Sequence, residues 1–159
     1  MTEIHTPRVS VIIAAWNAAC FLPRAVASVL AQRGAGALEI VIVDDCSTDT
    51  TATVAAELAA RHPEITLLRT AENSGPARSR NLGIAAARGD WVAVLDADDA
   101  YAPDRLARLT AVADAETLDV VADLPVLFDL AANAAAPDQL SASGEVTRLD
   151  LERLLQADP

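Results

Sequence analysis

The chain has 159 residues, enough for one ordinary domain with a sizeable core, and 52% of them are hydrophobic against only 3% aromatic, so an aliphatic, helix-rich interior is expected. Its formal charge is −11, and all 12 basic residues are arginine. That balance excludes a broad nucleic-acid or anionic-membrane surface, each of which needs a basic stripe, but leaves room for a local arginine cluster on phosphate.

Residues 1–7 read as an N-terminal tail without an apolar signal core, and no run approaches membrane-spanning length. A cytoplasmic placement is therefore expected, or a peripheral one at the inner face of the membrane. Cys20 and Cys46 lie in no metal-ligand spacing and are expected to be free and packed.

Short β-rich runs begin near Arg8, Glu39, Ile65, Trp91 and Asp119, with helical apolar spacing between them. Such alternation marks repeated βαβ units and an α/β fold with a mostly parallel sheet flanked by helices. The first run, Val9-Ser10-Val11-Ile12-Ile13, leads through Ala14-Ala15-Trp16-Asn17 into a helix. Phe21, Leu22, Ala25, Val26, Val29 and Leu30 form its expected buried stripe, and Gly34 and Gly36 its end. After Ile40-Val41-Ile42-Val43-Asp44-Asp45, Ser47 and Thr48 are expected to cap a second helix, with Asp49 in its first turn and His62-Pro63 closing it. Ile65-Thr66-Leu67-Leu68 is the third strand, and Asn73-Ser74-Gly75-Pro76 turns into a third helix. Trp91-Val92-Ala93-Val94 is the fourth strand, followed by a helix from Asp104 to about Ala113 with Pro103 in its first turn. Asp119–Asp123 and Val126-Leu127-Phe128 read as one strand or two, broken at Pro125. Ala131–Gly144 reads as a loop or insertion, and Arg148–Leu155 as a last short helix. The domain is thus expected over residues 8–129, with 130–159 beginning an incomplete second half.

The chemistry concentrates at two strand ends. Leu95-Asp96-Ala97-Asp98-Asp99 places three carboxylates just beyond a buried strand, and Asp44-Asp45 ends an earlier one. Carboxylates there are costly unless something positive binds, and hard oxygen ligands suit Mg²⁺ or Mn²⁺ carrying a diphosphate. An acidic turn capping the following helix is the alternative for Asp96–Asp99, and a solvated strand end for Asp44-Asp45. Open parallel sheets bind ligands at their carboxyl edge, which would make the two acidic ends one site.

Four blocks, in order and spacing, resemble the family-2 glycosyltransferases of the GT-A fold: Val9–Asn17, Val43–Asp49, Asn73–Ile84 and Asp96–Asp99. The likeness covers about Arg8 to Leu109. It implies sugar transfer from a nucleotide-activated donor, a UDP-sugar among the candidates, to an acceptor hydroxyl on a glycan or lipid-linked molecule, in polysaccharide synthesis and usually with Mg²⁺ or Mn²⁺. By that resemblance Asp99 holds the metal, and Asp98 contacts the ribose or the metal shell. Asp45 accepts from a ring N–H of the base, and Ala14 and Trp16 meet the base from the first strand's end. Arg80 grips phosphate, where a guanidinium fork suits two oxygens. For Trp16 a core position is an equal alternative. Asn17 is expected to cap the first helix, with a place in the nucleotide pocket as the alternative, and Gly75 and Gly83 to serve a turn and a close packing contact.

An inverting transfer needs a base for the acceptor proton, and nothing after Asp99 marks Asp123, Asp129 or Glu145 for it. The sequence therefore leaves the base unassigned and reads as the donor half of a longer enzyme. A non-catalytic nucleotide-binding or assembly module is the rival. Uncovered apolar surface near Leu127, Phe128 and Leu154 would favour a homo-oligomer. A nucleotidyltransferase usually brings a Gly-rich, basic phosphate loop, and Ala14–Phe21 has neither Gly nor Lys.

Overall fold

A computed structural model describes residues 6–123, 128–129 and 134–135. Contacts divide the chain after Ala122 into two units. In the first, strands β1 (Val9–Ala15), β2 (Leu38–Asp44), β3 (Ile65–Arg69) and β4 (Trp91–Val94) alternate with helices α1 (Leu22–Leu30), α2 (Thr51–Arg61), α3 (Pro76–Ala86) and α4 (Arg105–Glu116). The strands form one parallel sheet in the order β3-β2-β1-β4. This is the expected α/β architecture.

β1 and β2 are buried along almost their whole length, as continuous aliphatic runs between two helical layers should be. One face of the sheet presents Val9, Val11, Ile13, Ile40 and Ile42 to Leu22, Ala25, Val26 and Val29 of α1, Ala55 and Leu58 of α2 and Leu106 of α4. The other presents Ile12, Val41 and Val43, and α3 packs there against β1 and β2. The approach is close because position 83 is glycine: a Cβ would stand 2.4 Å from Ile12 Cγ2.

The amino edge of the sheet is held by a buried polar cluster. Glu39 accepts hydrogen bonds from the Ser10 hydroxyl (2.6 Å), the Arg88 N–H (2.9 Å) and Arg88 Nε (2.8 Å). Burial pushes the Glu39 carboxyl up, but these partners outweigh it and hold it below the ordinary value. Ser10 Oγ in turn accepts from Gly89 N at 2.8 Å. A Cβ on Gly89 would stand 2.6 Å from the Ser10 backbone nitrogen.

Several local expectations are corrected. Phe21 is exposed rather than part of the α1 stripe, and that helix ends at Leu30, ahead of Gly34 and Gly36, which take left-handed turns with φ +69° and +77°. Ser47 and Thr48 do not cap α2; Asp49 does so in effect, accepting from Thr51 N at 2.8 Å. Pro103 precedes the first turn of α4. Cys20 is free but exposed, and Cys46 is free and half-buried. Asp119–Asp123 forms no strand, and Val120 is 82% exposed: a β-branched run becomes a strand only where a neighbour offers a ladder. In the second unit, Phe128–Asp129 and Ala134–Ala135 pair antiparallel, so the second pair interrupts the segment read as a loop. The rest of that segment, the helix over 148–155, Glu145, Leu127 and Leu154 lie outside the described residues, as do the side chains of Phe128 and Asp129.

The two close glycine contacts should differ in cost. Gly83→Ala meets a side-chain methyl that can give, and should destabilise by about 1–3 kcal/mol, the usual range for overpacking. Gly89→Ala meets backbone and breaks the bond to Ser10, and should cost more. Urea denaturation of both variants checks the order through their midpoints.

Candidate functional site

The carboxyl edge of the sheet brings the sequence-marked blocks together. β1 runs in register with β2 so that Ala15 lies beside Asp44, and Asp45 N donates to Ala15 O at 2.8 Å. On the other side Leu95 N donates to Ile12 O at 3.0 Å, which sets the Asp96–Asp99 turn just past β4. The chain runs outward from β1 through β2 to β3 and then returns to β4 on the far side of β1. The strand order therefore reverses at the β1–β4 boundary, where open α/β sheets form their ligand crevice.

A cleft of about 300 Å³ opens at this edge, lined by Ala14, Ala15, Trp16, Asp45, Asn73, Gly75, Pro76 and Ser79. Trp16 is 56% exposed, so it is a rim residue and not a core one. Asp45 is only 3% exposed and is built into the wall. Its Oδ1 accepts from the Thr70 hydroxyl (2.8 Å), Ser74 N (3.0 Å) and the Ser74 hydroxyl (3.0 Å), and its Oδ2 from Gly75 N (2.8 Å) and, at 3.2 Å, Ser74 N. Burial alone would raise its pKa; the hydrogen bonds from Ser74, Thr70 and Gly75 outweigh it and hold the carboxyl at about 2. Gly75 takes φ +83°, which aims its N–H at Asp45 and requires glycine although the space around it is open.

Asp44 faces away from this arrangement. Its Oδ2 pairs with Arg69 Nε at 3.0 Å across the β2–β3 ladder, and its Oδ1 accepts from Ser47 N at 3.2 Å. Asn17 does not cap α1. With φ 48°, it accepts through Oδ1 from Thr48 N (2.9 Å) and Asp49 N (3.3 Å), while its own N–H donates to Ser47 Oγ (3.0 Å). The loops after β1 and β2 are thereby tied together beside the cleft.

In the acidic turn, Asp96, Asp98 and Asp99 are all exposed. Arg80 of α3 forms an ion pair with Asp96, and Arg24 of α1 donates to the Asp98 carbonyl oxygen. Arg80 Nε is buried without a hydrogen-bond partner, so the guanidinium is only partly used by the fold. Among the described residues no three His, Cys, Asp or Glu side chains converge to cage a metal ion. Asp98 and Asp99 nevertheless leave two carboxylates open to solvent, and Mg²⁺ is commonly held by one or two carboxylates plus substrate phosphates. Two open carboxylates are a donor set that suits a hard divalent cation sharing its other ligands with phosphate oxygens.

Sequence reasoning singled out Ala14, Trp16 and Asp45, and the structure joins them in one cleft. Asp98, Asp99 and Arg80 belong to the neighbouring turn and helix. Sequence reasoning missed Thr70, Ser74 and Ser79; for Ser74 the position next to a turn glycine was the available signal.

Asp45 makes the fold acid-sensitive. Its folded pKa of about 2 lies below the ordinary carboxylate value, so its contribution is complete above pH ~4 and lost as pH falls toward 2. That contribution amounts to about 2 kcal/mol, at 1.36 kcal/mol per unit. In urea titrations from pH 5 to 2, Asp45→Asn should be less stable at pH 5 and should show a visibly shallower decline.

The family model described as Glycosyl transferase family 2 matches residues 10–155. The chain is similar to the succinoglycan biosynthesis protein ExoO of Rhizobium meliloti (strain 1021), 45% identical over 117 residues, a match that covers 74% of this chain and 33% of that protein. Among solved structures it is similar to S. aureus TarS 1-349 in complex with UDP, with a TM-score of 0.63 and 25% identity over 76% of this chain and 39% of the other. It is also similar to the mannosyltransferase PcManGT from Pyrobaculum calidifontis in complex with GDP-Man and Mn²⁺, with a TM-score of 0.58 and 33% identity over 65% and 31% of the two chains. The chain spans about a third to under half of the length of the relatives it matches. The family match runs from β1 through the acidic turn and beyond α4, and the chain belongs to glycosyl transferase family 2.

Proposed function

We propose that this chain is the donor-binding part of an inverting glycosyltransferase that takes its sugar from a UDP-sugar, in the assembly of a polysaccharide or lipid-linked glycan. The observation that carries this reading is the cleft at the carboxyl edge, with ionised Asp45 in its wall and the open carboxylates of Asp98 and Asp99 in the adjoining turn. The UDP bound to TarS and the polysaccharide role of ExoO support the choice of donor and product class.

In this reading Trp16 and Ala14 hold the base, Asp45 accepts from its ring N–H, and Asp98 meets the ribose. Arg80, anchored by Asp96, would lend the remaining donors of its guanidinium to phosphate. Asp99 would hold Mg²⁺ or Mn²⁺, which when bound supplies charge stabilisation for the departing diphosphate. The acceptor's proton needs a separate base. Among the described residues the nearby carboxylates are already engaged or assigned: Asp45 to the α3 loop, Asp96 to Arg80, Asp98 and Asp99 to the donor. A base distinct from these four would supply general-base assistance, typically worth roughly 10²–10⁴-fold in rate.

Calorimetric titration of UDP should show a clear gain in affinity on adding Mn²⁺. Asp99→Ala should abolish that gain while leaving metal-free UDP affinity within about twofold, the scale of a surface substitution. Equal affinity with and without Mn²⁺ in the parent chain would count against the metal assignment.

A second outcome follows from reading this chain as the donor-binding part. The chain should bind UDP-sugar and yet form little glycoside with Mn²⁺ and a panel of acceptors, measured by product chromatography. Robust turnover would place the base among the carboxylates of this chain, Asp123, Asp129 or Glu145.

A further inference from the structure

Among the described residues lining the cleft, Ser79 alone carries a buried polar atom with no hydrogen-bond partner. It stands one turn into α3, is wholly buried, and spends its backbone N–H on Gly75 O at 3.2 Å. Its hydroxyl is used by nothing in the fold. A buried hydroxyl without a partner is destabilising, and alanine would fill the position in a helix at lower free energy. The cost is explained if a ligand supplies the partner.

The surroundings indicate which ligand. Pro76 and the exposed indole of Trp16 give the cleft apolar walls, while Asp45 and Ser79 bring an acceptor and a potential donor to its lining. Asp45 Oδ2 takes Gly75 N and only a long share of Ser74 N, which leaves acceptor capacity on that oxygen. An acceptor and a donor in one lining, between apolar walls, match a planar ring whose N–H lies next to a C=O. Uracil presents that edge; guanine presents the same pair on a larger bicyclic ring, so the choice of uracil comes from the UDP reading. Cytosine presents an unprotonated ring nitrogen beside an amine, which would set a lone pair against the carboxylate.

We infer that Ser79 is a specificity-determining residue of the donor site, its hydroxyl donating to the uracil carbonyl adjacent to the N–H that Asp45 receives. The inference rests on the UDP reading above. It also carries a consequence of opposite sign for the free protein, because removing the hydroxyl removes an unpartnered buried group.

The test compares the parent chain with Ser79→Ala by calorimetry against UDP and CDP, in Mn²⁺, together with thermal melting without nucleotide. UDP affinity should fall by about twofold to tenfold, the span of one net hydrogen bond. CDP affinity should not fall. The nucleotide-free melting temperature should stay level or rise, by roughly 2–4 °C for a domain of this size. Unchanged UDP affinity, an equal loss for both nucleotides, or a lowered melting temperature would each overturn the role given to Ser79. Failure of the parent chain to bind UDP at all would instead overturn the donor reading on which the inference stands.

Discussion

The carboxylate of Asp45 joins the end of a buried strand to the start of a helix that comes thirty residues later in the chain. β2 delivers Asp45 to the sheet edge, and Thr70, Ser74 and Gly75 close around it. Because the carboxylate is desolvated, each donor is worth more than it would be in water, and losing the charge would leave several of them unmatched. The entry of α3 is fixed by this contact. Everything that α3 presents, the cleft wall at Pro76 and Ser79 and the guanidinium of Arg80 beside the acidic turn, takes its position from it.

The sheet order supplies the second constraint. A chain that moves from β1 to β3 and then returns to β4 reverses its strand order beside β1, and open α/β sheets bind ligands at such a reversal. Two different kinds of group are thereby set side by side. The cleft side is shaped by buried hydrogen bonds and a left-handed Asn17 linking two loops. The acidic turn is exposed and is anchored chiefly through Arg24 and Arg80. The proposed donor, a nucleotide sugar, has the same division: a flat base that needs shape and a diphosphate that needs charge.

The parts legible in the sequence were those fixed by local chemistry. Continuous aliphatic runs gave β1 and β2, since strands covered on both faces need no polar alternation. The Asn-Ser-Gly-Pro turn gave the start of α3, and the acidic strand ends pointed to the sheet edge where the cleft opens. What escaped depended on partners distant in the chain. Asn17 looked like a helix cap, and its side chain instead satisfies N–H groups thirty residues on. Asp119-Val120-Val121 had the composition of a strand but no neighbouring ladder among the described residues. Ser79 is an unremarkable serine in a helix until burial and a missing partner are seen together.

The opposite end of the same strands has a different occupation. Ser10, Glu39, Arg88 and Gly89 interlock at the amino edge, and none of them lines the cleft. A strand of seven residues at about 3.3 Å per residue keeps the two ends roughly 20 Å apart, with aliphatic core between them. The polar interlock and the cleft thus sit at separate poles of one sheet. Selection or engineering can harden the amino pole without reshaping the cleft at the carboxyl pole, and substitutions in the cleft can be tolerated because the other pole keeps the domain assembled.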